Sequence, residues 1–355
     1  MRLLIFSDVH WSTYSSIVRC RGEKYSTRLE NLIDSLNWVE RFAEANLCDR
    51  VICLGDFFDK SELDAESITA LNDIEWANIP HTFLVGNHEV SSADLKYSTA
   101  HLFNLKNCEI INTTCMKSFD NFEIMYLPYF LEKDRPVLKD VFSKRDMSKW
   151  GLLLSHNDIK GINYGRYVSQ EGFTVEELES VCDVCINGHL HNTTQVTNKI
   201  CNIGNLTGQN FSEDAFIYPH NIMLINTDEW SFHTIENPNA LNFYKIEMPD
   251  NWSIDYLNNL CFRLKRNSVL TVKCKEDNGY QCLRARFDPR WPDNGFPKCA
   301  NVITSKFIIE RETSDKEVKP DVSFTVDHLA QFKDYILQNV GSDEITISEL
   351  QEICK

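Results

Sequence analysis

Short apolar runs that stop abruptly at polar residues recur along the first 190 residues of the chain. The runs are RLLIF, RVICL, HTFLV, GLLLS and VCDVCI, and each is followed closely by aspartate, asparagine or histidine. Runs of this length are typical of buried strands. Residues 28–45 and 62–77 instead carry apolar side chains at helical spacing, and Thr174 with Glu177 forms a capping box that begins a short helix. Strands that alternate with helices predict a parallel or mixed sheet with helices on both faces.

The polar residues that follow these strands are candidates for the chemistry of the protein. In such sheets, ligands bind at the carboxyl ends of the strands, so these side chains should converge. The eight candidates are Asp8, His10, Asp56, Asn87, His88, His156, His189 and His191. If one of them has a separate role, seven nitrogen and oxygen ligands remain, about what two metal ions sharing a carboxylate need. The lack of thiolates favours manganese, iron or zinc over a structural zinc site.

The pattern changes after about residue 205. Residues 237–252 read as a connector, and a small α/β domain follows, with a helix near 254–264 and strands near 268–274 and 303–309. Apolar residues at helical spacing return at 324–340, and Thr346 with Glu349 starts a last short helix. We therefore expect three parts, residues 1–240, 241–315 and 316–355.

Charge is distributed unevenly along the 355 residues. A net charge of −16 argues against a nucleic-acid partner, because phosphate binding needs a cationic surface. Residues 261–311, however, hold eleven Lys and Arg against five Asp and Glu, so a +6 segment lies in a chain that otherwise carries −22. Its aromatic residues either form a core or contact nucleic acid; they are Phe262, Tyr280, Phe287, Trp291 and Phe296.

Composition narrows the class of protein. Hydrophobic residues make up 43% of the chain, yet no stretch approaches the 18 consecutive apolar residues of a membrane span. No secretory signal precedes the thirteen cysteines, so we expect reduced thiols and a cytoplasmic location, in a bacterium or a phage-infected host. Cys182 and Cys185 form one CxxC pair inside an apolar run, and we interpret it as part of a strand rather than a metal site.

Five short motifs, taken in order, resemble a known superfamily. They are DVH (8–10), GDFFD (55–59), GNHE (86–89), SHND (155–158) and GHLH (188–191), and together they resemble the calcineurin-like metallophosphoesterases. GNHE also occurs in Ser/Thr protein phosphatases, but there GD usually continues into DRG, which this chain lacks. GDFFD and NIGNLTGQNFSED (202–214) are similar to the SbcD-type nucleases of double-strand-break repair. The short chain is like the phage recombination endonuclease subunits of that group.

The resemblance implies a fold and a role for each motif residue. The implied fold is a four-layer α/β sandwich of two mixed sheets flanked by helices, with a small α/β capping domain and a helical C-terminal tail. Asp8, His10 and His191 would hold one metal ion, Asn87, His156 and His189 the other, and Asp56 would bridge both. His88 would face the scissile phosphate and stabilise charge or protonate the leaving oxygen. Some family members carry a histidine where this chain has Asp59, which could orient a ligand histidine from behind.

The implied activity is manganese-dependent exonuclease and endonuclease hydrolysis of DNA by water that two metal ions activate. The tail would dock on a coiled-coil ABC-type ATPase of the SbcC kind, and a homodimer would form through residues 62–77 and 93–105. The candidate DNA-contacting residues are Arg263, Lys265, Arg266, Arg284, Arg286 and Arg290. Two alternatives stay open: a stand-alone phosphatase or phosphodiesterase for small substrates, and a non-catalytic scaffold that binds DNA ends.

Overall fold

Two six-stranded sheets stack face to face in the computed structural model. It describes residues 1–13, 22–90, 95–103, 105–163, 168–275, 279–292 and 297–310. The first sheet has the order β12-β11-β1-β2-β3-β4, and its strands are β1 (Arg2–Phe6), β2 (Arg50–Cys53), β3 (His81–Leu84), β4 (Cys108–Ile111), β11 (Asn221–Asn226) and β12 (Ser231–Glu236). Strands β1 to β4 are parallel, whereas β11 and β12 join antiparallel.

The second sheet is also mixed. Its order is β5-β6-β7-β8-β10-β9, and its strands are β5 (Cys115–Ser118), β6 (Phe122–Leu127), β7 (Trp150–Ser155), β8 (Val184–Asn187), β9 (Thr194–Gln195) and β10 (Ile200–Asn202). Strands β6, β7, β8 and β10 run parallel, and β5 and β9 are antiparallel edges.

Alternation along β1 explains the layers. Leu3 and Ile5 face the second sheet and share a core with Ile124 and Leu152, whereas Leu4 and Phe6 point the other way. That outer face is covered by α1 (Thr27–Ala45) and α2 (Ala65–Ala70), and the outer face of the second sheet by α3 (Leu138–Val141) and α4 (Val175–Glu179). Helix, sheet, sheet and helix form the expected four-layer α/β sandwich.

A third, three-stranded parallel sheet follows. Its strands are β13 (Asn242–Glu247), β14 (Ser268–Lys275) and β15 (Val302–Glu310), and it packs against α5 (Ile254–Arg263) and α6 (Tyr280–Phe287). The predicted helix and two strands of this region are therefore present. None of the helices in the described part of the chain has the length and apolarity that crossing a bilayer requires.

Two sequence-based assignments were wrong. The single helix expected over 62–77 is α2 plus one 3-10 turn at Leu71–Asp73, because Asn37 and Glu40 of α1 accept hydrogen bonds from the backbone at Glu75 and Ala77. The connector expected over 237–252 contains β13, whose Tyr244 and Ile246 are buried. The sequence interpretation also omitted β4, β5 and β6.

The proposed dimer segment 93–105 contains a 3-10 turn at Thr99–Leu102 among its described residues. The predicted helices at 324–340 and after Thr346 lie outside the described residues.

Candidate active site

The carboxyl ends of strands from both sheets meet at one place. Asp8 and His10 follow β1, Asp56 follows β2, and His156 and His189 follow β7 and β8. The backbone N–H of His189 donates to Asp8 Oδ2 at 3.0 Å, which joins the two sheets at this point. The convergence of strand ends that the sequence predicts is present, and it involves two sheets rather than one.

Unusual backbone conformations mark the same residues. Asp8, His10, Asp56 and His189 have positive φ angles of 53°, 50°, 48° and 76°. Such angles are uncommon for residues with side chains and tend to occur at functional sites. Gly55 has a φ of 122°, and a Cβ there would lie 2.6 Å from His156 Nδ1. The turn after β2 therefore requires glycine.

The first group of donor atoms consists of Asp8, His10 and His191. The Nε2 atoms of His10 and His191 face each other at 3.1 Å, and His10 Nε2 lies 3.9 Å from Asp8 Oδ1. Asp59 Oδ1 lies 3.2 Å from the other nitrogen, Nδ1, of His10. A carboxylate in this position fixes the orientation of the imidazole, which is where the sequence interpretation placed Asp59.

The second group consists of Asp56, His156 and His189. Asp56 Oδ2 lies 3.2 Å from His156 Nε2 and 3.9 Å from His10 Nε2, so this carboxylate stands between the two groups. His189 Nδ1 lies 3.0 Å from Asn87 Oδ1, which brings Asn87 to the same group.

His88 differs from the other candidates in its exposure. Its side chain is 40% exposed, whereas those of Asp56 and His10 are 2% and 3% exposed. Its Nδ1 lies 2.8 Å from the carbonyl oxygen of Asp59, and its Nε2 lies 4.0 Å from Asp56 Oδ2. Because the carbonyl can only accept, Nδ1 carries the hydrogen, and Nε2 faces the candidate metal-ligating residues.

Burial and neighbouring charges together set the protonation of the cluster. Burial lowers the pKa of His191 well below its usual range, and His10 acts in the same direction, so His191 is neutral with a lone pair to offer. Burial raises the pKa of Asp8. Burial also acts to raise the pKa of Asp56, but His156 and His10 reverse the effect, and the pKa falls below its ordinary value.

These residues fit divalent metal ions. Oδ1 of Asp8 is fully buried and has no hydrogen-bond partner among the described residues. An orphaned carboxylate oxygen beside two facing imidazole nitrogens costs free energy unless a cation joins them. The nitrogen and oxygen donors, without thiolate, suit two ions of the manganese, iron or zinc type.

Three buried or half-buried residues support the cluster without having been singled out from the sequence. Glu89 accepts hydrogen bonds from the backbone N–H groups of Asp56, Phe57, Phe58 and Gly86, and burial together with Asp56 raises its pKa to about 8. Asp158 Oδ2 lies 3.2 Å from His189 Nε2. Both belong to motifs, GNHE and SHND, so a signal existed for them.

Arg28 of α1 is the third, and no motif marks it. Its guanidinium is 1% exposed and donates to the carbonyl oxygens of Val9 at 3.1 Å and Gly208 at 2.8 Å. Val9 lies between Asp8 and His10, and Gly208 begins the segment that continues to Glu213. Arg28 therefore connects the loop of Asp8 and His10 to the segment that begins at Gly208.

We expect Arg28→Met to lower the free energy of unfolding by roughly 2–4 kcal/mol, because it leaves the buried carbonyls of Val9 and Gly208 without their donor. Chemical denaturation measures the change. Arg41→Met removes an exposed pair with Glu75 and should cost less than about 1 kcal/mol. Equal costs for the two variants would contradict the role given to Arg28.

Three cavities of the described residues have cluster residues in their walls, and the smallest, of about 380 Å³, is lined by Asp59, Asn87 and His88. One of about 680 Å³ is lined by Asn87, Tyr129 and neighbouring residues. Another, of about 980 Å³, is lined by Asp158, His189, His191, the 210–218 segment and Lys245 of β13. Asn87 in the wall of the 680 Å³ cavity and His189 in the wall of the 980 Å³ cavity are in contact, with His189 Nδ1 3.0 Å from Asn87 Oδ1.

The candidate DNA-contacting residues divide into two sets. Arg263 and Arg266 are exposed at the end of α5, next to Phe262, which is 90% exposed and so does not belong to a core. The guanidinium of Arg263 lies 4.9 Å over the ring of Phe216, in the segment that lines the larger cavity. Lys265 forms an ion pair with Glu236.

The other three candidates, Arg284, Arg286 and Arg290, contact residues of the small domain itself. Arg284 lies 4.2 Å over the Trp291 ring and pairs with Asp288, which also pairs with the exposed Arg290. Arg286 donates to Asn258 Oδ1 at 3.0 Å. Phe287 of the same helix is buried in the core. Of the six cationic candidates, Arg263 and Arg266 are thus the better placed for a ligand.

The family model for calcineurin-like phosphoesterases matches residues 1–193, more than half of the chain. The chain belongs to the calcineurin-like phosphoesterase family. The matched region contains all eight candidate residues from Asp8 to His191. This metallophosphoesterase is a hydrolase of the class that uses two divalent metal ions, and the groups described above could hold them.

Several solved structures are similar to this metallophosphoesterase. A dimetal phosphatase from Danio rerio is 13% identical over 67% of this chain and 99% of its own, with a TM-score of 0.42. An archaeal phosphodiesterase is 13% identical over 66% and 99%, with a TM-score of 0.33. A calcineurin-like phosphoesterase from Bacillus subtilis is 11% identical over 66% and 88%, with a TM-score of 0.36. No curated protein matches the chain.

Proposed function

We propose that this metallophosphoesterase is a manganese-dependent DNA nuclease, acting as exonuclease and endonuclease in an SbcCD-like repair or recombination complex. The observation that carries the proposal is that separate cavities have cluster residues in their walls, the two larger ones beside Asn87 and beside His189 and His191. A phosphodiester has an organic group on each side of its phosphate, whereas a phosphomonoester has one. Two cavities at one reactive centre favour a diester.

The larger cavity leads toward cationic and aromatic side chains. Its wall includes Lys245 and the 210–218 segment, on which Arg263 is stacked through Phe216. Cations contact the phosphates of a nucleic acid, and exposed rings such as Phe262 stack on its bases. This arrangement supports a polymeric nucleic-acid substrate in spite of the net charge of −16.

Seven residues would hold the metal ions: Asp8, His10, Asp56, Asn87, His156, His189 and His191. Divalent ions bound there supply Lewis-acid chemistry, polarising the phosphate and acidifying water. His88 holds its proton on Nδ1 against the Asp59 carbonyl and turns Nε2 toward the reacting phosphate. In its protonated form, it would donate a hydrogen bond to the developing charge or a proton to the leaving oxygen. Asp59 orients both His10 and His88.

The partners remain part of the proposal. We propose that the 316–355 tail docks on an SbcC-type ATPase and that two copies of the chain associate, as the resemblance implies. The tail lies outside the described residues. The candidate metal-ligating residues and His88 all belong to one chain.

The proposal predicts that the purified chain with added manganese shortens an end-labelled linear duplex. A parallel reaction contains an SbcC-type ATPase and ATP as well. Bis(p-nitrophenyl) phosphate, a small diester, serves as the control substrate. Hydrolysis of the small diester without any cleavage of DNA in either reaction would favour the alternative, a phosphodiesterase for small substrates. The 680 Å³ cavity, which is of small-molecule size, is the observation that keeps this alternative open.

We expect the double variant Arg263→Glu and Arg266→Glu to bind a DNA oligonucleotide about tenfold or more weakly, because two exposed cations that would face phosphates become repulsive. Fluorescence anisotropy over a range of salt concentrations measures this. The dependence of log K on log salt should become shallower by about 1 for each phosphate that is no longer neutralised. Lys106→Glu with Lys199→Glu, whose side chains are also exposed and line none of the three cavities, is the charge-matched control. Equal weakening by both pairs would show only a general charge effect.

A further inference from the structure

The cavity of about 680 Å³ beside Asn87 has walls unlike those of the rest of the site. Tyr129, Phe130, Leu131 and Val141 provide aromatic and aliphatic surface, and Asn112 and Thr113 provide polar groups. Leu131 and Val141 are 37% and 44% exposed although they are large and apolar. The volume lies in the range of cavities that bind small organic groups.

The aromatic wall of this cavity lies beside the candidate metal-ligating residues. The Tyr129 ring lies 5.9 Å from the His189 ring, and the Tyr129 N–H donates to the Val85 carbonyl at 3.0 Å. Phe130 N–H donates to Asn157 Oδ1 at 2.9 Å. Val85 follows β3 of the first sheet and Asn157 follows β7 of the second, so both sheets hold this wall in place.

Asn157 holds the aromatic wall in place, and this role is separate from binding a metal ion. It is 3% exposed, and its amide Nδ2 also donates to the carbonyls of Leu127 at 3.2 Å and Pro128 at 2.9 Å. It lies next to His156 in the sequence but fixes the segment that carries Tyr129 and Phe130. The position of the wall is therefore coupled to the strand end that supplies a candidate ligand.

From this arrangement we infer that the cavity receives the nucleobase next to the scissile phosphate, with Tyr129 as a stacking wall. Its charged lining residues, Lys96 and Asp134, offset each other, so the cavity suits a neutral group rather than a second phosphate. A flat ring stacks on aromatic side chains, and the polar atoms of a base can pair with Asn112, Thr113 and Thr114. A hydrocarbon chain would leave those polar groups unpaired.

This inference rests on the proposed phosphodiesterase reaction, and it can fail while that reaction stands. The test compares p-nitrophenyl esters of thymidine 5′-phosphate and thymidine 3′-phosphate with ethyl and hexyl p-nitrophenyl phosphate. Each reaction adds water across the P–O bond and releases p-nitrophenol, so only the second substituent differs. Using both thymidine isomers avoids assuming a polarity. We expect kcat/KM for one thymidine ester to exceed that for the ethyl ester by roughly ten- to a hundredfold.

Tyr129→Ala should reduce this ratio about tenfold, whereas Tyr129→Phe, which retains the ring, should keep it. Leu131→Asp should also reduce the ratio, and Ile217→Asp in the larger cavity should not. Binding of thymidine 5′-monophosphate to the EDTA-treated protein, measured by calorimetry, should weaken in the same order. This binding readout does not depend on turnover.

Three results would overturn the inference. They are equal kcat/KM for the ethyl and thymidine esters, a preference for the hexyl ester over both thymidine esters, and a ratio that responds to Ile217→Asp but not to Leu131→Asp. In each case the esters are still hydrolysed, so the phosphodiesterase remains and only the base site is refuted. No hydrolysis of any ester would instead remove the proposed function itself.

Discussion

Replacing Asp56 with asparagine is expected to reduce phosphodiester hydrolysis by roughly three orders of magnitude or more. Asp56 Oδ2 lies within 4.0 Å of imidazole nitrogens of His10, His88 and His156, and its side chain is 2% exposed. Asparagine keeps the shape and can still accept at Oδ1 the hydrogen bond from the backbone N–H of His88, but it removes the charge. A bridging position needs that charge to hold two cations close together.

Metal content separates this explanation from a folding defect. Elemental analysis after dialysis should show fewer than two ions per chain in Asp56→Asn, with bis(p-nitrophenyl) phosphate as substrate for the rate. Thermal unfolding checks that the variant is folded. Asp228→Asn, an exposed carboxylate beside the N-terminus, is the matched control and should retain both ions and full activity. An Asp56→Asn protein that still holds two ions would contradict the bridging assignment.

His88→Ala is expected to lower kcat by roughly 10²- to 10⁴-fold while both metal ions stay bound. The reason is that His88 lies at the cluster but is the exposed member, with Nδ1 held by the Asp59 carbonyl and Nε2 directed inward. Its loss removes a donor to the phosphate without removing a buried ligand. The rate, KM and metal content are measured on DNA and on the small diester.

His101→Ala is the matched control, since His101 is exposed and its Nε2 lies 3.0 Å from the Lys96 carbonyl oxygen. Loss of a metal ion from His88→Ala would make His88 a ligand instead. Unchanged hydrolysis would remove its catalytic role, and unchanged repair activity in cells would favour the DNA-end scaffold.

Local patterns were sufficient for several elements. The apolar spacing at 28–45 corresponds to α1 at Thr27–Ala45, and the capping box of Thr174 and Glu177 begins α4 as expected. The capping box operates within one turn and the apolar spacing within one helix, so both signals can be recognised in a single stretch of sequence. The helix over 62–77 was wrong because side chains of α1 compete for its backbone, and residues so far apart in sequence leave no local signal.

Strand ends were predictable for a related reason. When a buried apolar run forms a strand, the polar residue that follows it lies at the carboxyl end of that strand. Asp8, Asp56, Asn87, His156 and His189 all follow such runs. The sequence by itself therefore determined the candidate donor set, the helices with strong spacing, and the basic segment at 261–311.

Only the tertiary structure decided how these parts are used. Arg28 contacts Gly208 across 180 positions of chain and Val9 across 19. Asp158 turns to His189, and Phe262 faces solvent while Phe287 is buried. The walls of the larger cavity combine the end of β8 with the 210–218 segment and Lys245 of β13. Such contacts depend on where distant segments pack, and packing is a property of the whole sandwich rather than of any window of sequence.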